Sequence, residues 1–396
     1  MLESTSRFHD VGVELLVFDV GFGLDGWHKS TLLGTRSSWL SDAQQRQPSN
    51  GSAPPGTCLN RRDVQTVGFI GTGGMGSRMA KNVMAAGFDL VVNDSRREAT
   101  EGLEAAGAAF APSAATVAEA ARNLVCSGAR PLGATDNLNF GNPHNPELFW
   151  QLKESVRGLA EACEAFGTPV TGGNVSLYNQ NPAGAIDPTP TVGMVGLIDK
   201  PEHITSQWFK DDGDAIILLG QAVNSDDPLL GLGGSALLQI EHGRKEGTPP
   251  PCDLARESVL HDALLGLIAT GAVKSAHDCA EGGLAVALAE CCISQLTARN
   301  TPRLTGASLD LGGLDGVRVD ALLFGESHGR VVITTSEAEA GAATERAKLL
   351  GVPAARIGIV NGGGTLDIVI GETHFSWELN ELHDVWWNTI ARAMEQ

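Results

Sequence analysis

The sequence predicts a multidomain chain of α/β and α+β type, and three observations carry that prediction. Its 396 residues are 42% hydrophobic and 19% charged, enough apolar material for two or three buried cores. From residue 64 onward, short apolar runs alternate with stretches whose apolar residues recur at helical spacing. Glycines and side-chain amides gather where those runs stop, which is the punctuation of strand, turn and helix units.

Residues 1–60 precede this pattern. An apolar-leaning opening is followed by Ser37–Asn60, rich in Ser, Gln, Pro and Gly and without a period of 2 or 3.6, so the segment reads as a partly disordered linker with no assigned function. The start lacks the basic and small-residue pattern of a signal peptide, and no apolar run approaches the roughly 20 residues that span a bilayer. Seven cysteines without C-x-x-C spacing read as free thiols. The expectation is a soluble cytoplasmic protein with no membrane partner. A formal charge of −19 opposes a nucleic acid partner, because phosphate contacts need clustered Lys and Arg. Nucleotides stay open, since backbone N–H groups and a metal ion can hold one phosphate group without a positive field.

The first ordered segment spans 61–116. VQTVGFIG is a strand, GTGGMGSRMAKNVMAAG a turn and helix with Met75, Met79, Val83 and Met84 on one side, and FDLVVND a second strand. In such a βαβ unit Gly71 makes the tight turn, Gly73 lets a pyrophosphate approach the backbone, and Gly76 allows close packing of helix on strand. Asp94, about 20 positions on, is placed to hold a ribose hydroxyl, while Arg96 and Arg97 suit a 2′-phosphate instead. Over roughly residues 64–118 the chain resembles the start of the 3-hydroxyisobutyrate and 6-phosphogluconate dehydrogenase superfamily. That resemblance implies a partial Rossmann-type fragment with NAD(P) as cofactor, and an oxidoreductase as an alternative function. The superfamily's remaining sheet, glycine loop and catalytic lysine do not follow.

From Val117 the reading changes. A helix across 117–127 leads to the strand ARPLGATD, which is expected to end at Asp136 and open into an asparagine-rich loop, Asn137–Asn142. Leu148, Leu152, Val156, Leu159, Cys163 and Phe166 recur at spacings of three and four and predict a core-facing helix over 147–166. TPVTGGNVS is a second strand, again expected to end in glycines and amides. Glycine N–H groups, an amide oxygen suited to Mg²⁺ and a hydroxyl together suit an ATP-dependent step, although the same residues also build well-satisfied turns. Farther on, His277-Asp278 has no third ligand suitably spaced nearby and reads as a structural network beside Glu281-Gly282-Gly283. The last segment predicts a closing strand and a helix whose Trp386 and Trp387 cover the sheet.

AEAARNLVCSGARPLGATDNLNFGNP, TPVTGGNVSLYN, VKSAHDCAEGGLAVALAE and ALLFGESHGRVVIT follow one another in an order similar to the second half of the phosphoribosylformylglycinamidine synthase family, of the AIR synthase-like superfamily, over roughly 117–393. The resemblance implies a partial N-terminal domain at 117–205 and a complete α+β C-terminal domain at 206–396. It implies ATP-dependent conversion of formylglycinamide ribonucleotide to the amidine with glutamine-derived ammonia, using ATP and Mg²⁺. By the same resemblance Asp136 and Gly173 correspond to ATP contacts, Asn174 to a magnesium ligand and Ser176 to a substrate contact. Gly172 stands where the family usually has Ser, and Glu326-Ser327-His328 where it commonly has Glu-Ser-Gln, read here as a structural echo. The family's histidine and most of its magnesium carboxylates belong to its first half, so no catalytic residue is assigned. The expected partners are that first half and a glutaminase subunit, and the expected activity alone is weak or nil; a non-catalytic nucleotide-binding or assembly module is the other alternative.

Overall fold

A computed structural model describes residues 112–394, apart from 183, 299, 300, 315 and 316, together with the backbone of three earlier strands. Those strands are β1 (Glu14–Val20), β2 (Thr66–Ile70) and β3 (Asp89–Asn93). The chain divides into two compact units, one of residues 28–109 and one of residues 1–27 with 110–396. In the smaller unit β2 and β3 pair in parallel, Thr66 opposite Asp89. Gly71, Gly73, Gly76 and Asp94 lie outside the described residues.

The larger unit begins with α1 (Pro112–Cys126), β4 (Arg130–Asn139), α2 (Pro146–Ala165), β5 (Val170–Ser176), the short strands β6 (Gln180–Asn181) and β7 (Gly184–Ala185), and β8 (Thr189–Ile198). The sheet order is β1-β8-β4-β5, with β4 and β5 parallel and the other pairs antiparallel. A parallel pair needs a crossover, and α2 supplies it. The helix forms where the spacing predicts: the Asn145 side chain accepts from the Glu147 N–H, Pro146 opens the first turn, and Gly167, at φ 64°, ends it. Leu159 and Cys163 are buried as expected, whereas Leu148 is only half-buried at the start of the helix. Val117, Ala121 and Leu124 of α1 join Leu159, Ala162 and Cys163 of α2 over Ala134, Leu138, Val192 and Met194 of the sheet, forming one core.

The second sheet is larger. It combines β9 (Ala215–Leu219), β10 (Ser275–Asp278), β13 (Gly306–Asp310), β14 (Val331–Thr335), β15 (Ala354–Asn361), β16 (Thr365–Ile370) and β17 (Thr373–Glu378) in the order β10-β14-β9-β15-β13-β16-β17; the hairpin β11 (Gln295–Ala298) and β12 (Thr301–Arg303) stands apart. The helices are α3 (Ala236–His242), α4 (Leu254–Ala269), α5 (Gly283–Ile293), α6 (Val319–Phe324), α7 (Ala340–Leu349) and α8 (Leu379–Met394). Every residue of β9 and β14 is buried, because Ile216 and Leu218 face the α5 and α6 core while Ile217 and Leu219 face α4 and α7. Two strands, not one, precede the final helix, and Trp386 packs on the core while Trp387 is 41% exposed. Among the described residues no helix is long and apolar enough to cross a membrane.

Candidate functional site

Strand pairing builds the candidate site. Along β4 and β5 the register sets Asp136 opposite Gly173, Asn137 opposite Asn174 and Asn139 opposite Ser176. The expected loops are therefore strand interior: β4 continues through Asp136 to Asn139, and Thr171–Ser176 lies within β5. A run of Asp and Asn reads locally as a turn, but the ladder bonds from β5 on one side and β8 on the other override that tendency.

Alternation then divides the candidates between two faces. Asp136 shares the helix-covered face with Ala134 and Leu138, close to Cys163, and burial raises its carboxyl above the ordinary range. Gly173 is on the same face, where an added Cβ would overlap Oδ1 of Asp136. A Cβ on Gly172 meets nothing within 4 Å. That contrast explains how position 172 can take either serine or glycine without disturbing the strand. Asn174 and Ser176 occupy the opposite face with Thr135, Asn137, Asn139 and Thr191. There the Asn174 side-chain N–H donates to Asn137 Oδ1 at 3.1 Å, and the Asn174 side-chain oxygen has no hydrogen-bond partner among the described residues. Ser176 Oγ donates to Asn179 Oδ1 at 3.2 Å, and Asn179 Nδ2 donates to Ser176 O at 2.9 Å. Among the described residues no hydrophobic cluster forms on this face, and β5 is an edge strand with Val170 and Val175 exposed.

A second, buried cluster joins residues that the sequence hid, Arg122, Glu257 and His261, to the His277-Asp278 pair. Arg122 of α1 is fully buried, with Nη1 2.6 Å from Glu257 Oε1 and Nε 3.7 Å from Asp278 Oδ2. Burial pushes the Glu257 carboxyl up, but Arg122 and His261 outweigh it and hold it at about 2. His277 Nε2 lies 2.9 Å from Glu290, whose other oxygen accepts from Trp386 Nε1 at 3.0 Å. Burial opposes a charge on His277, yet the bonds to Asp278 and Glu290 raise it to about 9. Burial, with Arg122 nearby, lowers His328 to about 4. The Glu326 carboxylate accepts from the N–H groups of Ala236 and Gly282 at 2.9 and 3.0 Å, tying two helix starts together. His277-Asp278 and Glu326 are thus parts of structural networks. An arginine in an otherwise amphipathic helix gave no sequence signal of its own. Among the described residues no group of three His, Cys, Asp or Glu is placed to hold a metal ion.

Comparison with known proteins fits this two-sheet architecture. Residues 81–198 match the AIR synthase related protein N-terminal domain and residues 211–371 its C-terminal domain. The chain carries both AIR synthase related domains. The first match begins inside the segment that resembles the dehydrogenase superfamily and overlaps it. Among curated relatives, the phosphoribosylformylglycinamidine synthase subunit PurL of Moorella thermoacetica is 39% identical over 331 residues, covering 84% of this chain and 42% of that protein. The Deinococcus radiodurans subunit of the same name is 44% identical over 286 residues, covering 70% and 36%. The chain therefore spans less than half the length of these relatives. Among solved structures, T. maritima PurL complexed with FGAR superposes with a TM-score of 0.56 at 19% identity over 68% of this chain and 42% of that one. T. maritima PurL complexed with ATP gives 0.52 at 19% over 69% and 41%. At such identity the likeness shows a shared fold.

Proposed function

We propose that this chain is half of a cytoplasmic, ATP-dependent carbon–nitrogen ligase of purine biosynthesis, which forms the amidine from formylglycinamide ribonucleotide. The register of β4 and β5 carries the reading, because it brings Asp136, Gly173, Asn174 and Ser176 onto two neighbouring strands. The relatives named PurL support the substrate and reaction.

The residues present fit one corner of a magnesium nucleotide site. The side-chain carbonyl oxygen of Asn174 is a hard ligand, and Mg²⁺ takes one or two protein oxygens while keeping waters and phosphate oxygens. Gly173 lets the Asp136 carboxylate lie against the backbone of β5, in the position that a Cβ would take. We assign Asp136 and Gly173 to the nucleotide end, reached around the free edge of β5, and Asn174 and Ser176 to the metal and substrate end on the open face. Bound Mg·ATP would supply an activating phosphoryl group. This chain's residues orient it and the ribonucleotide; the remaining carboxylates and the histidine come from a first-half polypeptide covering the open face, and ammonia from a glutaminase subunit.

Mixing the purified chain with that first-half polypeptide and assaying ATP-dependent amidine formation tests the proposal. Turnover only in the mixture, lost with Asn174→Ala, is the expected result. Mg·ATP binding indifferent to Asn174→Ala would reject it, and binding without turnover would leave the non-catalytic module. The NAD(P) reading of the earlier segment has the parallel pairing of β2 and β3 in its favour. Fluorescence titration with NADPH tests it separately.

A further inference from the structure

Two residues beyond Ser176 the chain turns in a way that its own chemistry disfavours. Tyr178 has φ 64°, and only Leu230 shares a positive φ among the described non-glycine residues. In that region Cβ crowds the following carbonyl, so glycine or asparagine is the ordinary choice. Backbone bonds on both sides hold the turn: Tyr178 N–H donates to Gly141 O at 3.2 Å and Asn179 N–H to Phe140 O at 3.1 Å. The Asn179 side chain adds a bond to Phe140 O at 3.2 Å.

Packing does not explain the tyrosine. Tyr178 is 54% exposed, and its aromatic neighbour is the exposed His144, with centroids 6.2 Å apart and planes tilted by 52°. No hydrogen bond to its hydroxyl is recorded among the described residues. Glycine would turn the chain as well and at less strain. Residues over-determined in a sparse backbone region are characteristic of ligand clamps.

We infer that Tyr178, with His144 beside it, is the aromatic wall of the subsite that contains Ser176, packing against the ribose and planar amide of a phosphoribosyl amide. The inference rests on the role proposed for Ser176 above. An aromatic face accommodates ribose C–H groups and an amide plane, and the phenol keeps a donor for the ligand's polar edge. Tyr178 acts as a binding and positioning residue.

Tyr178 is the only tyrosine in the chain, so incorporation of 3-fluorotyrosine gives one ¹⁹F resonance. The full chain would be titrated with formylglycinamide ribonucleotide. The resonance should shift saturably, and Tyr178→Gly should weaken binding about tenfold, the scale of one aromatic contact, while Tyr178→Phe keeps most of it. The thermal midpoint of Tyr178→Gly should be unchanged or higher, because glycine relieves the positive φ. Should Ser176→Ala weaken binding while the resonance stays still and Tyr178→Gly binds like the parent, the wall is refuted and the Ser176 role survives. A lowered midpoint for Tyr178→Gly would make the ring structural and refute it too. No binding at all, or binding indifferent to Ser176→Ala, defeats the underlying reading instead.

Discussion

The two sheets of this chain are finished to different degrees. The seven-stranded sheet has helices on both faces, and two of its inner strands, β9 and β14, are buried from end to end. Among the described residues the four-stranded sheet has helices on one face only; the other carries Thr135, Asn137, Asn139, Asn174, Ser176 and Thr191, and β5 stands at its edge. Strands buried on both faces, as β9 and β14 are, make a stable platform, and the larger sheet opens to solvent around β13 and β15, beside Ser308, Asp310 and Arg356. A polar, uncovered face trades buried area for access, and Asn174 and Ser176 are on it, while Asp136 and Gly173 lie on the covered face beside the free edge of β5.

This contrast can be broken by substitution. The largest effect is expected in the buried cluster between α1, α4 and β10, where Arg122→Leu strands the carboxylates of Glu257 and Asp278 and should cost about 3–5 kcal/mol in urea unfolding. A loss near zero would mean that the carboxylates protonate or relax without penalty. Within the doubly covered sheet, Ile217→Ala opens a cavity between β9 and the α4 and α7 core and should cost about 2–5 kcal/mol by the same measurement.

A pH series sharpens the picture of the buried cluster around Asp278. The proton on His277 is held more tightly in the folded chain, with a pKa of about 9 against an ordinary 6.5. Its contribution is complete below the ordinary value and is lost as pH rises through 9. Burial and the neighbouring Asp278 also raise Glu119, which loses stability in the same direction. The thermal midpoint should therefore fall on alkaline titration, and His277→Gln should flatten that fall. An undiminished slope in the variant would remove His277 from the explanation. The smallest effect is expected on the open face, where Thr191→Ala should stay within about 0.5 kcal/mol of the parent.

Much of this was legible in the sequence, for reasons that also mark where it stopped. The apolar spacing of α2 depends on local chain geometry, so Leu159 and Cys163 could be read as core before any fold was known. Asp136 and Gly173 to Ser176 stood out as polar clusters beside apolar runs. Their membership in β4 and β5 did not, because a polar strand is made by its neighbours and carries no local signature. Nor did the division of Asp136 from Asn174 across two faces, which follows only once register is fixed. The pairing of Glu14–Val20 with β8 joins residues far apart in the chain, and Arg122 meets Glu257 the same way.

The central claim is that the register at Asp136 and Gly173 shapes a nucleotide contact, and two adjacent glycines test it most directly. Calorimetric titration of the chain with Mg²⁺ and a non-hydrolysable ATP analogue would be run for Gly172→Ala and Gly173→Ala, with circular dichroism confirming that each is folded. The account predicts parent-like affinity for Gly172→Ala, whose Cβ enters open space, and loss of binding for Gly173→Ala, whose Cβ meets Asp136. Equal affinities for the two variants would contradict it.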